Sequence, residues 1–77
     1  MQTTNYDHDA DYLDRLINEA EAAEFLGHSI RTIQNWRVRG GGPQFIKVSK
    51  RSIRYRRRDL IEWCERLRCA HTSEAAA

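Results

Sequence analysis

The stretch from Asn18 to Pro43, NEAEAAEFLGHSIRTIQNWRVRGGGP, decides the fold because it carries two helix starts and two helix stops within 26 residues. Asn18 followed three residues later by Glu21 has the form of a capping box. Ala20, Ala22, Ala23 and Leu26 add good helix propensity, so a short helix is predicted over residues 19–26. Gly27 is placed to end it in a left-handed conformation, and Ser29 is placed to cap a second helix only two residues later. Two helices joined by so short a turn must cross tightly. On a wheel of about 100° per residue, Ile30, Ile33 and Trp36 fall on the inward side of the second helix. Arg31, Gln34, Asn35, Val38 and Arg39 fall on the opposite arc. Gly40, Gly41, Gly42 and Pro43 then stop the helix, through the entropy of three glycines and the missing amide donor of proline.

Beyond this stretch the period changes. Phe45 to Val48 and Ile53 to Tyr55 are β-prone runs separated by Ser49, Lys50, Arg51 and Ser52, which reads as a two-stranded hairpin. From about Arg58 a helical pattern returns, with Leu60, Trp63, Cys64 and Leu67 on one apolar stripe that closes the core. The expected organisation is an acidic arm over residues 1–15, a folded domain over residues 16–68 and a frayed tail over residues 69–77. The fold class is mainly α with a small β-hairpin. Tyr6, Tyr12 and Leu13 are the only sizeable apolar groups of the arm, which is expected to be flexible or a short helix in need of a partner.

The full chain is 77 residues with 13 Lys or Arg and 11 Asp or Glu, enough for one small domain and too little for a large enzyme fold. Its net charge of +2 conceals a strong asymmetry: residues 1–26 sum to −6, residues 27–58 to +10 with no acid, and residues 59–77 to −2. Ten cations in 32 residues, interleaved with Trp36, Phe45 and Tyr55, are the footprint of a surface that meets phosphates. Without such a partner the block would only repel itself. The apolar runs are far shorter than the roughly 20 residues that span a bilayer, and no leader pattern opens the chain, so no membrane partner is expected and the location expected is the cytoplasm. His8, His28 and His71 with Cys69 lack the spacing of a zinc site, and Cys64 reads as a small buried hydrophobe, so neither metal nor cofactor is proposed.

The segment LINEAEAAEFLGHSIRTIQNWRVRGGGPQFIKVSKRSIRYRRRDLIEWCERL resembles the short MerR-like winged helix-turn-helix proteins, which include excisionases of phages and conjugative elements and the AlpA-type regulators. The motifs that carry the likeness are EAAEFLG, SxxTIxxW, the glycine-proline break and RYRRxDLxxW, in that order. The resemblance implies a winged helix-turn-helix with a two-stranded wing and a C-terminal helix. It also implies a non-enzymatic DNA-binding recombination directionality factor of the bacterial cytoplasm, associated with the nucleoid. Such a protein lines up copies of itself on DNA at an attachment site, bends the duplex and helps an integrase to excise a mobile element. Two departures stand out: His28 occupies a turn position that is apolar in the family, and Ser49 with Lys50 replaces the glycines common at the wing tip.

On these elements, Arg31, Gln34 and Asn35 have the chemistry to read base edges in a major groove, since Arg forks onto guanine and Gln or Asn pairs with adenine. Ser29 and Thr32 lie where the amino end of the second helix favours a phosphate. Arg37 and Arg39 are expected on the DNA backbone, as are some of Arg54, Arg56, Arg57 and Arg58, which strand alternation prevents from all facing one way. Lys50 and Arg51 cap the hairpin, where a cation can enter a narrow minor groove. Asp7, Asp9, Asp11 and Asp14 could shield the molecule's own basic face or dock on that of a neighbour. Three functions remain in competition: a recombination accessory factor, a transcriptional regulator of the same fold, and an adaptor for an acidic protein. An enzyme ranks last, because the basic block pairs no nucleophile with a base and offers no paired carboxylates.

Overall fold

A computed structural model of the chain describes residues 11–71. The expectations placed on Tyr6, Asp7, His8 and Asp9, and on the tail beyond His71, lie outside them. Residues 11–14 form one helical turn. It is followed by β1 (Leu16–Ile17), α1 (Glu19–Leu26), α2 (Ile30–Arg39), β2 (Ile46–Ser49), β3 (Ser52–Arg56) and α3 (Arg57–Arg66).

Both helix starts of the diagnostic stretch are capped. Asn18 accepts the amide of Glu21 at 2.8 Å, and the Ser29 hydroxyl accepts the amide of Thr32 at 3.2 Å. Gly27 takes φ 74° and ψ 30°, and the amides of Gly27 and His28 reach back to the carbonyls of Glu24 and Ala23 at 3.2 and 2.9 Å. These two bonds are the pair that closes a helix through a left-handed glycine. The turn departure at His28 is accommodated by its ring, which stands edge-on to Trp36 with centroids 5.1 Å apart.

Behind Gly40 and Gly41, Gly42 sits against the second helix: a Cβ there would lie 2.5 Å from Trp36 Cβ and 3.0 Å from its Cγ. A helix-rooted Cβ cannot swing aside, so the backbone must shift. Gly42→Ala is therefore expected to destabilise the fold by about 1–3 kcal/mol, the usual cost of forcing an extra methyl into a packed site. An unchanged urea midpoint would contradict this.

The sheet is larger than a hairpin. It is antiparallel with order β1-β3-β2, the short β1 pairing Leu16 with Arg56 and Ile17 with Tyr55. The expected two-stranded wing is β2 and β3, paired at Ile46–Arg54, Lys47–Ile53 and Ser49–Ser52 with an irregularity between Lys47 and Ser49. The third strand escaped the sequence pattern because two residues show no alternation, and its partner lies about 40 positions away. The core is Ile17, Ala22, Ala23, Ile33, Tyr55 and Leu60, with Leu26, Trp36 and Ile53 packed against it. Trp36 meets Trp63 at 5.0 Å, which joins α2 to α3.

Three expectations about burial are corrected. Ile30 is 42 % exposed, because the first turn of α2 reaches past the core and Ile33 alone is buried there. Cys64 is exposed and Leu67 is 56 % exposed: the apolar stripe of α3 runs beyond the area that α1 and α2 can cover. Among the described residues no helix is long and apolar enough to cross a membrane.

Candidate nucleic-acid interface

The second helix presents one arc to solvent. With Ile33 buried, Arg31, Gln34, Asn35, Val38 and Arg39 are all exposed, Val38 at 75 %. The expected outward arc is thus the observed one.

Beside that helix the wing curls over a depression of about 350 Å³ lined by Arg37, Phe45, Lys47, Lys50, Arg51 and Ile53. A second depression of about 300 Å³ shares Arg37, Arg51 and Ile53, and adds Arg54, Ile30 and the start of α1. The shared residues set the two depressions side by side, and together they make a cationic groove between α2 and the wing. Five cations line it, Arg37, Lys47, Lys50, Arg51 and Arg54, against a single carboxylate, Glu19. A concave surface with that imbalance focuses positive potential, because field lines from charges on its walls reinforce one another over the low-dielectric interior.

The remaining candidates divide. Lys50 and Arg51 sit at the wing tip, both exposed, while Arg54 donates to the carbonyl of Ile53 at 2.9 Å. Lys47, counted in the basic block but not singled out by sequence, joins them in the groove. Ser29 and Thr32 share a hydrogen bond of 3.0 Å between their hydroxyls, so the cap of α2 already occupies Ser29. Arg37 donates through Nε to Glu19 at 2.9 Å, and Gln34 donates to the other oxygen of the same carboxylate at 3.2 Å. Arg56 is held by Asp59, 3.2 Å away.

Arg57 and Arg58 turn toward the arm. The Arg57 guanidinium lies 3.9 Å above the Tyr12 ring and donates to the Tyr12 carbonyl at 3.0 Å. Arg58 pairs with Asp14 at 2.7 Å through Nε. That hydrogen bond holds the Asp14 carboxyl below its ordinary value, with the charges of Arg58 and Arg56 acting in the same direction and desolvation opposing them. The acidic arm therefore meets the cations at the head of α3. Asp11 pairs with Arg15 within its own turn.

Glu19 is the residue that sequence reasoning missed. Its partners lie 15 and 18 positions away, and no local pattern connects them. It also touches the core chemically: the Tyr55 phenol is pushed above its ordinary value first by burial and then by the Glu19 charge, with Arg37 pulling the other way.

Two helices crossing through a left-handed glycine, the second one solvent-facing, with a β-wing beside it, define a small winged helix-turn-helix, a DNA-binding class. Comparison with known families agrees: residues 16–68 match the helix-turn-helix domain, which is more than half of the chain, and the protein belongs to that family. The family includes small DNA-binding proteins of the AlpA and excisionase type. No curated protein matches the chain at a significant level.

Proposed function

We propose that residues 16–68 form the DNA-binding domain of an excisionase, a recombination directionality factor. Copies bind adjacent sites cooperatively, bend the duplex and promote integrase-mediated excision of a mobile element. The observation that carries the reading is the cationic groove between α2 and the wing. A helix laid in a major groove with a wing reaching the next backbone spans enough phosphates to hold a bent duplex. The finer identification is supported by the ordered motifs of the first helix, second helix, glycine break and wing exit. A head-to-tail contact between copies would extend along DNA rather than close into a dimer. The setting this function implies is the bacterial cytoplasm, with double-stranded DNA and an integrase as partners.

In this role Arg31, Gln34 and Asn35 read base edges, while Arg37, Arg39, Lys50, Arg51 and Arg54 hold phosphates. Arg31→Ala is expected to lose about 1–3 kcal/mol of affinity and to relax discrimination at one base position, as measured by mobility-shift titration. Unchanged binding removes Arg31 from the reading set. The function itself is tested by a footprint on the attachment region of the element together with an excision assay containing the integrase. Several phased, cooperatively filled sites and excision that depends on the protein are the expected result. Protection of one operator without any effect on excision would assign the chain to transcriptional regulation instead.

A further inference from the structure

We infer that Glu19 is a specificity-determining positioning residue, which fixes Gln34 in the orientation that reads adenine and holds Arg37 at the groove. The inference rests on the DNA-binding reading above and names a residue that the reading itself does not require.

The geometry is a two-pronged clamp. One oxygen of the Glu19 carboxylate accepts from the Gln34 amide at 3.2 Å, and the other accepts from Arg37 Nε at 2.9 Å. Gln34 and Arg37 are three residues apart on α2, so they project from the same side of the helix. Glu19 reaches them from the first turn of α1, with its side chain 18 % exposed and that of Arg37 26 % exposed. A half-buried carboxylate with two donors is far better ordered than a surface pair between long side chains in open water.

Chemistry makes the clamp directional. An ionised carboxylate only accepts, so it must face the amide nitrogen of Gln34 and not the amide oxygen. One N–H of Gln34 is thereby committed, and the second N–H and the carbonyl oxygen remain for a ligand. That residual pair, one donor beside one acceptor, is the pattern that complements N7 and the N6 amino group of adenine in a major groove. Without Glu19 the amide can flip and offer its groups in the opposite order. On Arg37 the carboxylate takes Nε at 2.9 Å, which fixes the guanidinium where Arg37 lines the groove.

A negative charge in an otherwise cationic groove must weaken attraction to every duplex. Its presence there exchanges some overall affinity for discrimination, and this trade gives the test an unusual sign. With the full-chain protein, the preferred duplex is first selected from a randomised pool, and wild type and Glu19→Gln are then titrated on that duplex, on each single-base variant of it and on unselected DNA. Glu19→Gln is expected to bind unselected duplex more tightly than wild type. It is also expected to lose on the order of tenfold in discrimination at one A·T position. Gln34→Ala should relax the same position, and adding Glu19→Gln to it should relax that position no further.

A variant that merely loosened the fold would lose affinity for all duplexes alike, which would overturn the inference, as would unchanged discrimination at every position. Glu19→Asp provides a second variant that keeps the charge. Its shorter side chain should relax the same position without the gain on unselected DNA. If wild type itself selects no sequence, the base-reading function fails, and the role of Glu19 fails with it. If wild type selects a site that Glu19→Gln selects equally well, only the role of Glu19 fails.

Discussion

Leu60→Ala is expected to destabilise the protein by about 2–5 kcal/mol, the range for removing a large buried aliphatic side chain when the surroundings cannot collapse into the space. Leu60 is fully buried, and its cluster holds only Ile17, Ala22, Ala23, Ile33 and Tyr55 besides itself. It is the only member that α3 contributes, so its loss removes the anchor of the third helix in that cluster and leaves the contact of Trp63 with Trp36 to hold α3 against the helix pair. A domain of this size has a total stability on the order of 5 kcal/mol or less from one small core, so the variant should be largely unfolded near body temperature. Urea denaturation followed by the fluorescence of Trp36 and Trp63 measures the change. Val38→Ala is the control: Val38 is 75 % exposed and should move stability by no more than about 0.5 kcal/mol. Equal midpoints for the two variants would mean that the core does not lie where the structure puts it.

The same small core explains what the sequence could and could not disclose. The helix pair was legible because its determinants are local: Asn18 and Ser29 act on amides three residues away, and Gly27 closes the first helix within its own turn. The hairpin was legible for a similar reason, since its two strands are separated by only Lys50 and Arg51. β1 was hidden because Leu16 and Ile17 acquire strand geometry only from β3, across some 40 residues. Cys64 and Ile30 misled because amphipathic period marks a direction and not an extent of cover; a domain this thin leaves the end of α3 and the start of α2 unburied. For the candidate site, composition identified the cations but not their partners. Arg37, Arg56 and Arg58 met Glu19, Asp59 and Asp14 at distances in sequence from 3 to 44 residues, and Arg57 met Tyr12. Charge in a sequence is a sum, whereas charge on a surface depends on which groups the fold pairs off.

That distinction yields the sharpest functional expectation. Replacing both Lys50 and Arg51 by alanine should flatten the salt dependence of DNA binding by about 1.8 in log-log slope, as two phosphate contacts and the counterions they release are lost. At about 0.15 M salt the same release corresponds to a loss of affinity on the order of thirtyfold, similar for every sequence, because phosphates carry no base information. Both residues are exposed at the wing tip, line the groove with Arg37 and have no carboxylate partner among the described residues. The decisive comparison removes the same two charges elsewhere, at Arg56 and Arg58. Those side chains are already committed to Asp59 and Asp14, so their loss should leave the slope close to that of the wild type. Equal effects from the two double variants would mean that DNA senses only the net charge of the domain and that the groove has no special part in binding. A slope reduced by about 1.8 for the wing variant alone, with the other unchanged, would fix the phosphate path between α2 and the wing.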